Sequence, residues 1–377
     1  MSGIYIHFPF CKQACHYCNF HFSTSPQFTA SYLEALHKEI ALRKDYLTDT
    51  VRTIYIGGGS PSLMSISALG SLLEALHSTY DIGEDIEVTL EANPDDLDTF
   101  HNNYLQELRA TSVNRLSIGI QSFEEEDLNF MNRVHNRGQA ISALKNSLDA
   151  GFENITADLI YGTPTLSDKA WCENLQRLID LDIPHISAYA LTVEEGTALD
   201  RFIKKGSVKD VDDHKVADQF EMMVEILESN GYEHYEISNF AKEGYRSKHN
   251  TNYWKGIPYL GLGPSAHSFN GEERQWNVAH TPKYIKGLEN NQLNFGIEKL
   301  SIKSRYNEYV MTSLRTSWGV DLAYIHSAFG EEFVAHFQRN VAEYLDDKVI
   351  VQKECFTLNR KGKLYADRIA SNLFAVE

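Results

Sequence analysis

Short β-rich runs alternate with helix-length segments through the first half of the chain, and no other feature narrows the fold so far. IYIHF (residues 4–8) precedes SYLEALHKEIALRKDYL (31–47), whose apolar positions recur at helical spacing. TIYIGGG (53–59) precedes a helix over residues 65–78, and EVTLEANP (87–94) precedes a helical stretch ending near Leu108. RLSIGIQSF (115–123) leads into helices around 124–150. ITADLIYGTP (155–164) and HISAYALT (185–192) continue the pattern, with a helix near 169–181 between them. Six such units imply an α/β fold with a parallel sheet and helices outside it. Right-handed crossovers curl that sheet into a full or partial, TIM-like (β/α)6 barrel.

In such a barrel, chemistry sits on the loops that follow the strands. The unusual residues of this chain fall there: three cysteines after the first strand, GGGSP after the second, EANP after the third, GIQS after the fourth and DLIYGTP on the fifth. This divides the chain into a barrel over residues 1–235 and a connecting region over 236–297, rich in aromatics around YEHYEISNFAKEGYRSKHNTNYW. A small C-terminal domain over 298–377 follows. Its helices, hairpin and final basic helix read as winged-helix-like. Such a tail either binds nucleic acid or packs as a module. With 52 acidic against 35 basic residues and a net charge of -17, the chain repels phosphate backbones, so packing is expected and nucleic acid is not. No window approaches the ~18 apolar residues of a membrane span, and the N-terminus lacks a secretory pattern, so the cytoplasm is expected.

Cys11, Cys15 and Cys18 form a CX3CX2C cluster, whereas Cys172 and Cys355 stand alone and read as packing residues. Three clustered thiols in a chain of this size point to metal or redox chemistry rather than a disulfide framework. One reading is zinc, with His16 or His21 as fourth ligand. Against it, no second cysteine pair exists at zinc spacing, and the triplet lies at the expected functional rim. The other is an iron–sulfur cubane with three protein ligands, whose open iron binds a small molecule directly.

The other loops supply polar partners. Gly58 and Gly59 allow backbone groups to approach a ligand closely, with Ser60 beside them. Glu91, Gln121, Arg133 and Asp158 lie on or after strand ends. Carboxylates and an amide suit hydroxyl and ammonium groups, and an arginine suits a carboxylate. His249 stands beside Tyr253 and Trp254 in SKHNTNYW, either as an axial haem ligand or as a satisfied core histidine.

YIHFPFCKQACHYCNF, YIGGGSPSLM, LEANP, NRLSIGIQSF, MNRVHNRGQA, DLIYGTP, SAYALTVEEGT, YEISNFA and HNTNYW together resemble the radical S-adenosylmethionine (SAM) family of oxygen-independent coproporphyrinogen III oxidases, and within it the haem-chaperone branch. The resemblance runs from residue 4 into the C-terminal domain. It implies a radical SAM barrel with a 4Fe-4S cluster on Cys11, Cys15 and Cys18, and SAM chelating the open iron. Tyr5, Gly58, Gly59, Ser60, Glu91, Gln121, Arg133 and Asp158 match the family's SAM contacts, with Ser60 for the usual threonine. The oxidases carry a further cysteine two residues after the triplet, where this chain has Phe20, and an N-terminal extension that it lacks. Both departures match the chaperone branch, as does HNTNYW, which ties His249 to haem. The resemblance thus implies haem binding and delivery to haem-accepting proteins, including respiratory ones at the membrane, with an electron donor for the cluster. Propionate decarboxylation in haem biosynthesis is the alternative activity. Whether the chain works as a homodimer is open.

Overall fold

The computed structural model describes residues 1–97, 103–346 and 349–376. Six parallel strands lie side by side in chain order: β1 (Ser2–Phe8), β2 (Val51–Gly58), β3 (Ile82–Ala92), β4 (Arg115–Gln121), β5 (Asn154–Tyr161) and β6 (His185–Ala190). Helices such as Thr29–Leu42, Ile66–Thr79, Arg137–Asp149 and Asp168–Asp180 connect them. The expected α/β barrel is therefore present, and it is partial. Part of the helical stretch expected before Leu108 falls on residues 98–102, outside the described residues.

Strand periodicity sorts the side chains into two layers. Ile4, Ile6, Ile54, Ile56, Val88, Leu90, Leu116, Ile118, Ile155, Ala157, Ile186 and Ala188 are buried in the main core, which also holds the apolar positions of the surrounding helices. The alternate positions read Tyr5, His7, Thr53, Tyr55, Glu87, Glu91, Arg115, Ser117, Thr156, Asp158, His185 and Ser187, so the concave layer is polar. Helix starts are set by local chemistry: Ser65, Ser167 and Asp212 accept from backbone N–H groups one turn on, and Asn136 with Gln139 forms a reciprocal cap.

The stretch read from sequence as a connecting region supplies strands to the same sheet. Beyond β6 lie β7 (Glu233–Glu236) and β8 (Asn239–Ala241), and beyond β1 lie β9 (Tyr259–Leu262), β10 (His267–Phe269), β11 (Glu273–Asn277) and β12 (Phe295–Lys299). The result is an open twelve-stranded sheet in the order β12-β11-β10-β9-β1-β2-β3-β4-β5-β6-β8-β7. These strands are three to five residues long, too short to show period two against their aromatic surroundings.

A second core around Tyr306, Val310, Leu314, Phe337 and Phe356 builds the C-terminal unit. Helices Ile302–Leu314, Leu322–Phe329 and Glu331–Asp346 precede an antiparallel hairpin of β13 (Ile350–Gln352) and β14 (Phe356–Leu358). Two of its basic groups contact the barrel. Arg360 donates to Glu228 at 2.6 Å, and Lys363 Nζ lies 3.4 Å from the His234 carbonyl. These contacts give Arg360 and Lys363 an intramolecular role.

Candidate functional site

The loop carrying the cysteine triplet is held by backbone contacts on both sides. Cys11 N donates to the Ser23 carbonyl at 3.0 Å, and His16 N to the Met131 carbonyl at 3.1 Å. Gln13 Nε2 donates to the Asn132 carbonyl at 2.9 Å, and Asn132 Nδ2 returns a bond to the Ala14 carbonyl at 2.7 Å. Lys12 Nζ sits 2.7 Å from Asp95 Oδ2 and also meets Asp96, two carboxylates that are 8% and 5% exposed. Lys12→Ala leaves both buried carboxylates without their cation. It is expected to cost on the order of 1 kcal/mol and to speed amide exchange over residues 10–23; unchanged exchange there would show that Lys12 does not hold the loop.

Cys11, Cys15 and Cys18 line one cavity of about 550 Å³ together with Gly58, Gly59, Ser60, Glu91, Gln121, Arg133 and Asp158. Burial pushes the Cys11 thiol up to about 11, and the Cys18 thiol is raised for the same reason. Among the described residues no three His, Cys, Asp or Glu side chains are grouped as a single ion requires. Three thiols lining one cavity, with no fourth cysteine among its lining residues, supply the three protein ligands of a cubane with one open iron.

Arg133 is the main positive charge beside them. Its Nη1 lies 3.3 Å from Cys15 Sγ, and its Nη2 donates to Asn93 Oδ1 at 2.5 Å and to the Gly119 carbonyl at 2.9 Å. Its Nε is buried and has no partner among the described residues. A guanidinium fixed on one edge with a free N–H on another suits an anionic group such as a carboxylate. Gln121, at the end of β4, takes a left-handed φ of 63°. Such backbone strain in a non-glycine residue clusters at ligand sites.

The carboxylates lie deeper. Glu91 accepts from the Tyr55 hydroxyl at 2.7 Å and from Gly58 N at 2.9 Å, and its pKa is raised by burial. Asp158 accepts from Ser117 Oγ at 3.0 Å. Burial, reinforced by the charge of Glu91, lifts it to about 7. The glycine turn differs from expectation. The N–H groups of Gly58, Gly59 and Ser60 are taken by Glu91 and by the Phe8 and Phe10 carbonyls, the latter two at 2.8 Å. These donors close the second loop onto the first and are not free for a ligand. Gly59 is needed for that approach, because a Cβ there would lie 2.6 Å from the Phe10 carbonyl.

Two expected residues do not line the cavity. Tyr5 sits in the concave layer with its hydroxyl 3.0 Å from His7 Nδ1. His249, on the helix Lys248–Trp254, is 2% exposed and has both ring nitrogens engaged, Nδ1 with Thr53 Oγ1 at 2.8 Å and Nε2 with the Tyr253 hydroxyl at 2.9 Å. Its ring stacks on Tyr55 with centroids 5.1 Å apart. Burial holds the imidazole down at about 3, so it is neutral. As folded it is a satisfied core histidine beneath Tyr55, with no nitrogen free for haem iron. His249→Ala is therefore expected to cost about 2 kcal/mol in stability while leaving the Soret position of any bound haem unchanged; a shifted Soret band would restore it as a ligand.

Sequence reasoning missed several lining residues: Tyr17, Asn93, Arg115, Ser117, Thr156, Ser187 and Tyr189. Most occupy the inward positions of strands already recognised, so their period-two placement was the available signal. Asn250, one position after His249, does reach the cavity.

The Radical SAM superfamily model matches residues 5–211, and the HemN C-terminal domain model matches residues 300–365. The "Heme chaperone HemW" of Mycobacterium tuberculosis is 34% identical over 377 residues, covering 98% of this chain and 94% of that protein. The protein of that name from Bacillus subtilis is 32% identical, covering 98% of each. The one from Escherichia coli is 36% identical over 273 residues, 70% of this chain and 69% of the relative. Among solved structures, the coproporphyrinogen III oxidase HemN of Escherichia coli superimposes with a TM-score of 0.85 over 99% of this chain and 90% of that one. At 23% identity that likeness speaks for the fold alone.

Proposed function

We propose, because this chain belongs to the radical SAM superfamily and to its HemW haem-chaperone family, that it binds haem and hands it to acceptor proteins under the control of a 4Fe-4S cluster and SAM. The single observation behind this reading is the co-linear match to proteins named haem chaperones over nearly the whole chain. The donor set of the cavity agrees with it.

Cys11, Cys15 and Cys18 would hold the cluster, leaving one iron without a protein ligand. Arg133 would take the SAM carboxylate on its free edge and, beside Cys15, offset the charge of the thiolates. Glu91, Asp158 and Gln121 would receive its ammonium and ribose hydroxyls. Ser60 and the glycine turn would wall the methionine end, and Tyr5 would support the layer beneath. When bound, such a cluster supplies single electrons and an open coordination position. The acceptors we propose are respiratory haem proteins at the membrane, reached from the cytoplasm, with a separate protein as electron donor to the cluster. No helix among the described residues is long and apolar enough to cross a membrane.

Coproporphyrinogen oxidation is the rival, and Phe20, where the oxidases carry a further cysteine, disfavours it. Haem titration and coproporphyrinogen III turnover on one anaerobically reconstituted sample decide between them. The expected result is saturable haem binding, transfer to an apo haem protein and no decarboxylation. Turnover without haem binding would overturn the chaperone reading.

A further inference from the structure

The floor of the cavity holds a cation that neither the cluster nor SAM needs. Arg115, the first residue of β4, lines the cavity and is 1% exposed. One edge of its guanidinium is fixed. Nη2 donates to Thr156 Oγ1, which lies 3.0 Å from His185 Nδ1, and His185 Nε2 is 2.8 Å from the Tyr235 hydroxyl. Burial, with the guanidinium nearby, holds the His185 imidazole well below its ordinary pKa, so this chain of groups is neutral. It orients Arg115 and supplies no anion.

A buried cation is ordinarily paired. Arg43, also buried, lies 3.7 Å from Glu39 Oε1 and donates to Gln275 at 2.5 Å. Arg115 has no ion pair and no hydrogen bond besides that to Thr156 among the described residues, and its Nε is buried without a partner. Acids close by are committed elsewhere. Glu87 accepts from Lys248 N and His249 N, each at 2.9 Å, and Glu91 from Tyr55 and Gly58. Asp158 accepts from Ser117 and, at about 7, is only part-ionised near neutral pH.

A second orphan stands beside the first. Thr89 on β3 pairs with Arg115 in the parallel ladder, and its buried hydroxyl has no partner among the described residues. Thr156 precedes Asp158 by two residues on β5. The guanidinium therefore sits one inward position, roughly 7 Å along the strand, below the groups that would meet SAM. Its Nε edge matches the paired oxygens of a carboxylate. The neighbouring Glu91 and Asp158 disfavour a doubly charged phosphate more strongly than a single carboxylate.

We propose that the barrel floor is a subsite for the carboxylate of a second ligand, which shares the cavity with SAM and is held by Arg115, with Thr156 positioning the guanidinium. The assignment rests on the reading of the rim as the SAM site and adds the charge of what lies beneath it. At about 550 Å³ the cavity has the volume of one cofactor-sized ligand. With SAM in place, the floor admits a short acid or one acidic arm of a larger molecule.

The test is a calorimetric titration of the full-length, cluster-loaded, SAM-bound chain with propionate and with propionamide, its neutral isostere. Propionate is expected to bind saturably, and propionamide at least tenfold more weakly. Arg115→Gln is expected to remove that preference while SAM still binds and circular dichroism is unchanged. Thr156→Val, which keeps the charge and frees the guanidinium, is expected to reduce the preference severalfold and serves if Arg115→Gln does not fold. If the wild type binds SAM but does not prefer propionate, or if the variants keep the preference, the floor subsite is wrong while the SAM site stands. If the wild type binds no SAM, both fall. Haem and haem dimethyl ester then separate the sources. A preference for haem that Arg115→Gln removes identifies a tetrapyrrole propionate in the subsite, and one that it leaves intact identifies a small free acid.

Discussion

Replacing any one of Cys11, Cys15 or Cys18 by alanine is expected to abolish stable cluster assembly, so that reconstituted protein is colourless and lacks acid-labile sulfide. Three thiols are already the minimum for a cubane with one open iron, and removal of one leaves a second iron without a protein ligand. No further cysteine lines the cavity to take its place. Cys172 and Cys355 do not line the cavity. Wild-type iron and sulfide content in Cys15→Ala would remove the triplet as the ligand set. Structural zinc predicts a different outcome in the wild type, a colourless protein that holds zinc and no acid-labile sulfide.

Asp158→Asn is expected to stabilise the cofactor-free protein and to weaken SAM binding more than tenfold. The barrel holds this carboxyl close to Glu91, away from water, and its pKa rises from 3.8 to about 7. Between those values the native state binds a proton that the unfolded chain has released. Stability therefore falls as pH rises through that window, and the loss is complete above about 7. The ionised form costs on the order of 4 kcal/mol at full strength, and amide for carboxylate removes it. The variant's melting temperature should exceed that of the wild type by several degrees at pH 8, with the gap closing as the pH approaches 4. A gap that is absent at pH 8, or that grows on acidification, would show that Asp158 is not held as described. The expected loss of SAM affinity alongside gained stability is the usual mark of a strained ligand site.

Much of the site was legible because it is local. Cys11, Cys15 and Cys18 occupy eight residues of one loop, Glu91 and Gln121 sit where a strand ends, and Asp158 lies within β5, positions that alternating β and α segments reveal directly. The placement of His249 was not legible. Its partners Thr53 and Tyr55 come from a strand almost two hundred residues earlier, and only the packed barrel shows that both imidazole nitrogens are already bonded. The donors of the glycine turn were misjudged for the same reason, since their acceptors lie on Phe8, Phe10 and Glu91.

The amino-acid order alone determined a parallel α/β sheet with its chemistry at one rim, because strand and helix periods and loop cysteines are properties of short segments. Tertiary packing alone decided that the sheet runs on through β7–β12, that Arg133 reaches Cys15, and that Arg115 is buried without an ion pair. Those outcomes depend on register and burial between distant segments, where no single stretch of chain carries the interaction energy.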